Sequence, residues 1–266
     1  LHHALARRDE ASARVRAHAL YAAGVLAFAR GEYVQAEALL CESVAGYQQL
    51  GDQREIALAL LHLGAARRDR GSDVEANTAI KEALELAREI GDHVLVGTLL
   101  MQRGIIERER GDLDSAQALF EETLALLSTQ TLESPSLTTL TLQNLGALSE
   151  DQHDYVKANA YLNQSLILTR RTGNRFNLPF VLESVASLAA IAEQPEHALR
   201  LASAAAALRE RLGMPVPPTW RPRIARTLER ARVRLDPATA AAAWAEGGAL
   251  TPEQALDYAL NEETDA

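Results

Sequence analysis

Several residue types are scarce in this sequence, and each scarcity excludes a class of protein. A single cysteine, Cys41, among 266 residues excludes an internal disulfide framework and is compatible with a reducing compartment. Cys41 falls on an apolar helix face, where we expect a small core residue rather than a reactive thiol. Aromatic residues make up only 5% of a chain that is 47% hydrophobic. Because alanine and leucine dominate, this composition favours closely packed helices over sheets.

Positively charged residues are also fewer than negatively charged ones. The chain carries 27 Lys and Arg against 36 Asp and Glu, which gives a formal net charge of −9. Binding to a phosphate backbone needs lysine and arginine clustered on one face. We therefore expect no nucleic acid among the direct partners of this segment.

Long apolar stretches and export signals are missing as well. No uninterrupted apolar run is long enough to span a membrane, and the first residues lack the apolar core of a signal peptide. We expect a soluble, cytoplasmic protein with no membrane partner. Because the sequence begins at Leu1 rather than at methionine, we interpret it as a fragment of a longer polypeptide.

Motifs of catalysis and metal binding are absent too. The chain has no glycine-rich phosphate loop followed by lysine and a hydroxyl residue, no HExxH, no GxSxG and no CxxC. None of the seven histidines pairs with another at a spacing suited to a metal on a helix. His153 and His197 lie near turns, and we expect them to be solvated. We predict no enzyme activity, no catalytic residue, no cofactor and no metal site.

The sequence contains one pattern that is repeated five times. In the first copy a glycine, Gly24, is followed twelve residues later by a small residue, Ala36. The later pairs are Gly64 with Ala76, Gly104 with Ala116, Gly146 with Ala158, and Ala186 with Ala198. The intervals of 40, 40, 42 and 40 residues identify an internal repeat.

Turn residues keep the same register. Seven residues after the first member of each pair stand Gly31, Gly71, Gly111, His153 and Glu193. A second turn column holds Gly51, Gly91, Gly173 and Gly213, and the third unit carries residues 131–136 in its place. Because glycine readily supplies the left-handed residue that ends a helix, each unit is predicted to be helix, tight turn, helix.

Apolar residues between the turns follow helical spacing, which supports the hairpin prediction. The small residues of the repeated pairs would let the two helices of a hairpin approach closely. Larger residues sixteen positions after the leading glycine would fill the remaining gaps. They are Leu40, Ile80, Phe120 and Leu162.

The repeat stops at Gly213, and a tail of different composition follows. Residues 214–222 are rich in proline, which disfavours helix and predicts a stiff linker. Beyond it we predict helices over 223–235, 238–246 and 251–260, with Gly247 and Gly248 ending the second and a capping box at Thr251 opening the third. The predicted organisation is five hairpins in 1–213, a linker in 214–222 and capping helices in 223–266, which cover the open end of the stack.

Residues 24–36, GVLAFARGEYVQA, and 104–116, GIIERERGDLDSA, resemble the hairpin core of tetratricopeptide repeats. The resemblance covers about residues 11–212 and implies an all-α fold, a right-handed α-solenoid of hairpins with a C-terminal helical cap. The period is 40 residues here and about 34 in the family, so each helix is about a turn longer. The tryptophan and proline columns of the family consensus are absent.

A second resemblance lies towards the C terminus. Residues 198–213, ALRLASAAAALRERLG, and 250–260, LTPEQALDYAL, look like the end of the helical-repeat region of large bacterial regulators. In such proteins the repeats resemble a sensor beside a switch ATPase, with a LuxR-type or antibiotic-regulator-type DNA-binding domain or a cyclase domain elsewhere. The resemblance implies that ATPase or DNA-binding domains adjoin this segment in the full chain.

The tetratricopeptide resemblance also implies where a partner binds. In that family the first helices of the hairpins line a concave surface that takes peptides or helices. The positions carried over to this chain are Tyr21, Phe28, Leu61, Arg68, Met101, Arg108, Gln143, Asn144, Phe180 and Glu183. Asn144 precedes Leu145 and Gly146 as in family members whose asparagine hydrogen-bonds the backbone of a bound peptide.

Six of these positions have an alternative interpretation. Asn144 could be solvated or bonded to a neighbour in its own helix. Arg68 and Arg108 share a column and could bind an acidic or carboxylate partner, or they could pair with Asp69, Glu107 or Glu109 on their own helices. Tyr21, Phe28 and Met101 could be anchors for a partner or part of the core.

We therefore hypothesise a ligand-sensing or protein-interaction module of a bacterial signal-transduction or transcriptional regulator. It would bind a peptide, a protein or a small-molecule inducer on its concave face. Two alternatives stay open. One is a free-standing scaffold that recruits a protein, and the other is an enzyme whose site carries no recognisable motif.

Overall fold

The computed structural model describes residues 2–129 and 134–261, and every regular element within these ranges is an α-helix. The first ten helices are α1 (His2–Ala29), α2 (Tyr33–Leu50), α3 (Gln53–Asp69), α4 (Asp73–Glu89), α5 (His93–Glu109), α6 (Leu113–Thr129), α7 (Pro135–Asp151), α8 (Tyr155–Thr172), α9 (Leu178–Ile191) and α10 (Pro195–Leu212). Three helices follow, α11 (Arg221–Arg232), α12 (Pro237–Ala249) and α13 (Pro252–Asn261). The turn predicted for residues 131–136 lies partly outside the described residues.

The chain divides into two compact units, Leu1–Asp112 and Leu113–Ala266. In unit 1, α1 packs on α2, α2 on α3, α3 on α4 and α4 on α5. In unit 2, α6 to α10 pack in the same consecutive way, and α11, α12 and α13 all contact α10. The division into residues 1–213, 214–222 and 223–266 stays a prediction.

The repeated turn adopts one backbone conformation in all five copies. The turn residues Gly31, Gly71 and Gly111 have φ of 77°, 87° and 86°, and His153 and Glu193 have the same left-handed conformation at 62° and 64°. The next N–H donates to the carbonyl five residues back, as from Ser72 to Arg67 at 2.8 Å. This bond ends the first helix of each hairpin, and the turn reverses the direction of the chain.

The repeated small residues allow close helix packing. Ala36, Ala76, Ala116, Ala158 and Ala198 are all fully buried. A β-carbon on Gly64 would lie 2.6 Å from Ile80 Cδ1, and one on Gly24 or Gly146 would lie 2.7 Å from Leu40 or Leu162. The fifth hairpin replaces this glycine and large residue with two alanines of one core cluster, Ala186 and Ala202. The extra β-carbon of Ala186 is accommodated because the facing residue, Ala202, is smaller than leucine or isoleucine.

The tail departs from the prediction at Gly247 and Gly248. Both glycines lie inside α12, which runs to Ala249 instead of ending at residue 246. A β-carbon on Gly247 would lie 2.1 Å from the Arg200 carbonyl oxygen, so this glycine serves the contact between α12 and α10. The capping box at Thr251 is confirmed, because the Thr251 N–H donates to Gln254 Oε1 at 2.9 Å and the Gln254 N–H to Thr251 Oγ1 at 3.2 Å.

Two further expectations about single residues are wrong. Cys41 is exposed rather than a core residue, because the buried face of α2 runs through Ala36, Leu40 and Val44 and the next position turns away from it. His197 is 7% exposed rather than solvated. It lies in the first turn of α10, and its ring packs against that of Tyr258 in α13, with the ring centres 4.9 Å apart and the planes tilted by 52°.

Candidate functional site

The inner positions of unit 1 lie on α1, α3 and α5, which contact one another in that order. We call this surface the first-helix face of unit 1. Tyr21 and Phe28 on α1 are half-buried, whereas Leu61 on α3 and Met101 on α5 are 8% and 3% exposed. Leu61 and Met101 therefore lie in the core, and the two aromatic rings border solvent.

Aromatic contacts join α1 to its neighbours. The edge of the Tyr21 ring meets the His62 ring at a centroid distance of 5.6 Å, and His18 Nδ1 lies 3.1 Å from the hydroxyl of Tyr47 on α2. Burial, followed by the charge of Glu55, raises the pKa of Tyr21, and the same causes raise the pKa of Tyr47 to about 12. Both phenols therefore stay protonated and able to donate a hydrogen bond.

Arg68 is the centre of a buried polar network that links α3 to α5. Its Nε and Nη2 donate to Asp69 Oδ1 at 2.9 and 2.8 Å, and its Nη1 donates to Gln102 Oε1 at 2.9 Å. Glu109 lies 3.9 Å from its Nε. Burial lowers the pKa of Arg68, but the charges of Asp69 and Glu109 outweigh it and leave that pKa raised. Arg68 thus pairs with Asp69, as one of the sequence alternatives expected.

The network fixes the orientation of Gln102. Because a guanidinium group can only donate hydrogen bonds, the Gln102 atom that faces Arg68 is the carbonyl oxygen. The amide NH2 group therefore points away from Arg68, on a residue that is half-buried. Arg108, six residues further along α5, is also half-buried. The structure places both polar groups on the first-helix face of unit 1.

In unit 2 the predicted polar side chains of α7 are buried and form hydrogen bonds within the fold. Gln143 and Asn144 are 2% and 5% exposed. Gln143 Nε2 donates to Ser184 Oγ on α9 at 2.8 Å. Asn144 Nδ2 donates at 2.8 Å to the Leu140 carbonyl oxygen in its own helix, which is the neighbour-bonded alternative expected from the sequence.

The predicted positions of α9 contact the chain's own tail. Glu183 Oε1 and Oε2 accept hydrogen bonds from Arg209 Nε and Nη2 at 2.5 and 2.9 Å, and Glu183 Oε2 also accepts one from Trp220 Nε1 at 2.5 Å. The Arg209 guanidinium lies 4.4 Å above the centre of the Phe180 ring. Trp220 and Arg209 were not predicted from the sequence. The only signal for Trp220 was a tryptophan within a proline-rich connection.

A second buried ion pair reaches α7. Arg223 of α11 pairs with Glu150 at the end of α7, and Ser187 Oγ of α9 donates to Glu150 Oε1 at 2.8 Å. Trp220 and Arg223 thus place the start of α11 over Glu183 of α9 and Glu150 at the end of α7. The predicted polar positions of unit 2 are therefore engaged by other parts of the chain itself.

The described part of the chain offers neither a metal site nor a membrane-spanning helix. No group of three or more His, Cys, Asp or Glu residues there could hold a metal ion. No helix within the described ranges is both long enough and apolar enough to cross a membrane.

Comparisons with known proteins agree with the hairpin architecture. Residues 55–129 match the tetratricopeptide repeat family, and no curated protein matches the chain. Among solved structures, BtubC from P. vanneervenii is 18% identical with a TM-score of 0.57, over 81% of this chain and 92% of BtubC. The Rap conjugation gene regulator of the plasmid pLS20, solved in complex with the Phr* peptide, is 17% identical with a TM-score of 0.65. That match covers 92% of this chain and 64% of the regulator.

A third structure, a kinesin light chain protein of Podosopora anserina with nearly identical TPR-like repeats, is 16% identical with a TM-score of 0.50, over 83% of this chain and 95% of that protein. At these identities the structures show a shared fold. The all-α fold of tetratricopeptide-like hairpins predicted from the sequence is therefore confirmed.

Proposed function

We propose that this protein is an interaction module that binds a peptide, or an extended segment of a partner protein, on the first-helix face of unit 1. One observation carries the proposal. Gln102 is held by Arg68 through its oxygen, so that its amide NH2 is oriented in advance on a half-buried residue. A preoriented donor binds a peptide carbonyl without the entropic cost of ordering the side chain on binding.

Apolar side chains flank this donor on the same face. Tyr21, Val25 and Phe28 on α1 and Ile105 on α5 are each half-buried. Side chains of this kind are typical anchors for a bound peptide, because aromatic rings bury a large area at little cost in conformational entropy. The half-buried Arg108 would add a preference for an acidic residue or a carboxylate in the ligand.

The proposed binding face differs from the set expected from the sequence. Of that set, Tyr21, Phe28, Arg68 and Arg108 contribute to it, and Gln102 supplies the hydrogen-bond donor first assigned to Asn144. Leu61 and Met101 would act by supporting the face from the core. Gln143, Asn144, Phe180 and Glu183 would hold unit 2 together.

We propose further that the module senses its ligand for a bacterial signal-transduction regulator, with an ATPase or DNA-binding domain adjoining it in the full chain. The resemblance of residues 198–213 and 250–260 to the repeat regions of such regulators supports this context. So does the fold shared with the Rap regulator, which was solved with a peptide bound. A free-standing scaffold would use the same face, and the domains encoded beside this segment separate the two.

Binding to selected peptides tests the proposal. We would select ligands from a random peptide library displayed on phage, and measure their affinity by fluorescence anisotropy. Gln102→Ala and Phe28→Ala should each weaken binding at least about tenfold, the loss of roughly 1.4 kcal/mol of contact free energy. Gln48→Ala is the matched control, because Gln48 is an exposed glutamine of α2 and should leave affinity unchanged. Failure to select any peptide, or equal affinities for all three variants, would contradict the proposal.

A further inference from the structure

The helix α11 stands out in an acidic chain because it carries five arginines against one glutamate. Its apolar side, with Ala231 buried and Leu228 packed in two core clusters, faces the fold. Arg223, Arg226, Thr227 and Arg230 follow at helical spacing along an adjacent stripe, in which Arg223 and Thr227 are buried and Arg226 and Arg230 are exposed. The sequence thus builds one cationic face on a helix that is otherwise fixed by its core contacts.

This cationic face forms one wall of a cavity of about 180 Å³. The opposite wall comes from the end of α7, the turn after it, the start of α8, and α9. The residues that line that wall are Glu150, Asp151, His153, Tyr155, Ser187 and Ile191. His153 Nδ1 lies 3.1 Å from the Tyr155 hydroxyl, and in either direction this hydrogen bond leaves one N–H or O–H group of the pair able to donate to a ligand.

The arginines of this wall have unused donor capacity. Arg223 is 8% exposed, and although it pairs with Glu150, its buried Nε has no hydrogen-bond partner. Arg226 and Arg230 are exposed, and neither forms an ion pair or a side-chain hydrogen bond with another residue of the described ranges. A buried N–H without a partner is costly, and three guanidinium groups around one cavity are a strong determinant for an anion.

We propose that this cavity binds an oxyanion, the phosphate or carboxylate group of a small ligand. Three arginines against Glu150 and Asp151 leave the site with an excess of positive charge. The paired N–H donors of a guanidinium group match the spacing of two oxygens of a carboxylate or phosphate. Arg223 Nε would donate from the floor of the site, and Arg226 and Arg230 would close over the anion from α11. The bound anion would also join α11 to the turn between α7 and α8.

Calorimetric titration with inorganic phosphate and, separately, with acetate tests this site in the intact chain. At least one of the two anions should bind saturably in the millimolar range or tighter, and which one binds identifies the source of the oxyanion. The double variant Arg226→Gln, Arg230→Gln should raise the dissociation constant at least about tenfold. It should fold normally, because neither side chain is buried, and circular dichroism checks this.

The matched control is Arg170→Gln, Arg171→Gln, which removes two exposed arginines of α8 and the same total charge. Its affinity for the anion should equal that of the unaltered protein. The proposal is overturned if neither anion binds saturably, if the pocket variant keeps its affinity, or if the control loses affinity as much as the pocket variant does, since general charge would then explain the binding.

Discussion

Replacing Glu183 with alanine removes the carboxylate that two buried donors share. Arg209 is 3% exposed and Trp220 is 9% exposed, and both donate to Glu183. Without it, the guanidinium would remain buried with no counter-charge. Removing one partner of a buried ion pair typically costs about 3–5 kcal/mol. Because the free energy of unfolding of a domain is about 5–15 kcal/mol, the variant should still fold but should lose a large part of that free energy.

Urea unfolding followed by circular dichroism measures this loss. We expect the midpoint to fall while the slope of free energy against urea stays constant, because the surface exposed on unfolding is unchanged. Tryptophan fluorescence gives a second reading, since Trp220 and Trp244 are the two tryptophans of the chain. In a Trp244→Phe background, Glu183→Ala should shift the emission of Trp220 to longer wavelength as the start of α11 becomes exposed.

The control is a pair at the surface. Glu246→Ala removes a carboxylate whose side chain is 58% exposed and which pairs with Arg200, and exposed pairs contribute at most about 1 kcal/mol. A loss below about 1 kcal/mol for Glu183→Ala would refute the reasoning, because it would equal that of a surface pair. So would an unshifted emission, because it would mean that α11 is held by other contacts.

Three further changes have defined outcomes. Gly64→Leu should cost on the order of 1–3 kcal/mol by overpacking against Ile80, read from urea unfolding. Gly247→Ala should cost about the same, because its β-carbon would lie 2.1 Å from the Arg200 carbonyl. Burial, and then the charge of Arg200, lowers the pKa of His197 to about 4. The unfolded chain therefore binds the proton more tightly, and unfolding free energy should fall by about 2 kcal/mol between pH 8 and pH 5.

Each of these changes has a matched control. For Gly64→Leu the control is Ala45→Leu, which introduces the same leucine at an exposed position of α2 and should leave stability unchanged. Gly248→Ala should cost less than Gly247→Ala, because its β-carbon would meet only the Ser203 hydroxyl, at 3.2 Å. His197→Asn should flatten the pH dependence, whereas replacing the exposed His93 should leave it intact. The opposite order in any of these pairs would contradict the packing described above.

The hairpins were predictable from the sequence because their determinants are local or periodic. Each turn residue lies seven positions after the first member of its repeated pair, and the left-handed conformation persists even where His153 and Glu193 replace glycine. The register, rather than the glycine alone, therefore specifies the turn. Gly247 was misread because its role depends on Arg200, 47 positions away in the sequence. A local rule reads such a glycine as a helix end.

The candidate site was less predictable for the same reason. Glu150 and Glu183 are covered by Arg223 and Trp220, which lie 73 and 37 residues further along the chain. No periodicity in the sequence shows where a tail will dock. The orientation of Gln102 likewise depends on Arg68, 34 residues away. Column positions identified the first-helix face, but tertiary contacts decided which of its side chains remain accessible.

Hydrogen–deuterium exchange with and without a selected peptide tests the central claim most directly. Bound peptide should slow amide exchange in α1, α3 and α5 of unit 1 and leave α7 and α9 unchanged, since the inner polar side chains of unit 2 are already bonded within the fold. Protection confined to α7 and α9, or no protection anywhere at saturating peptide, would contradict binding on the first-helix face of unit 1.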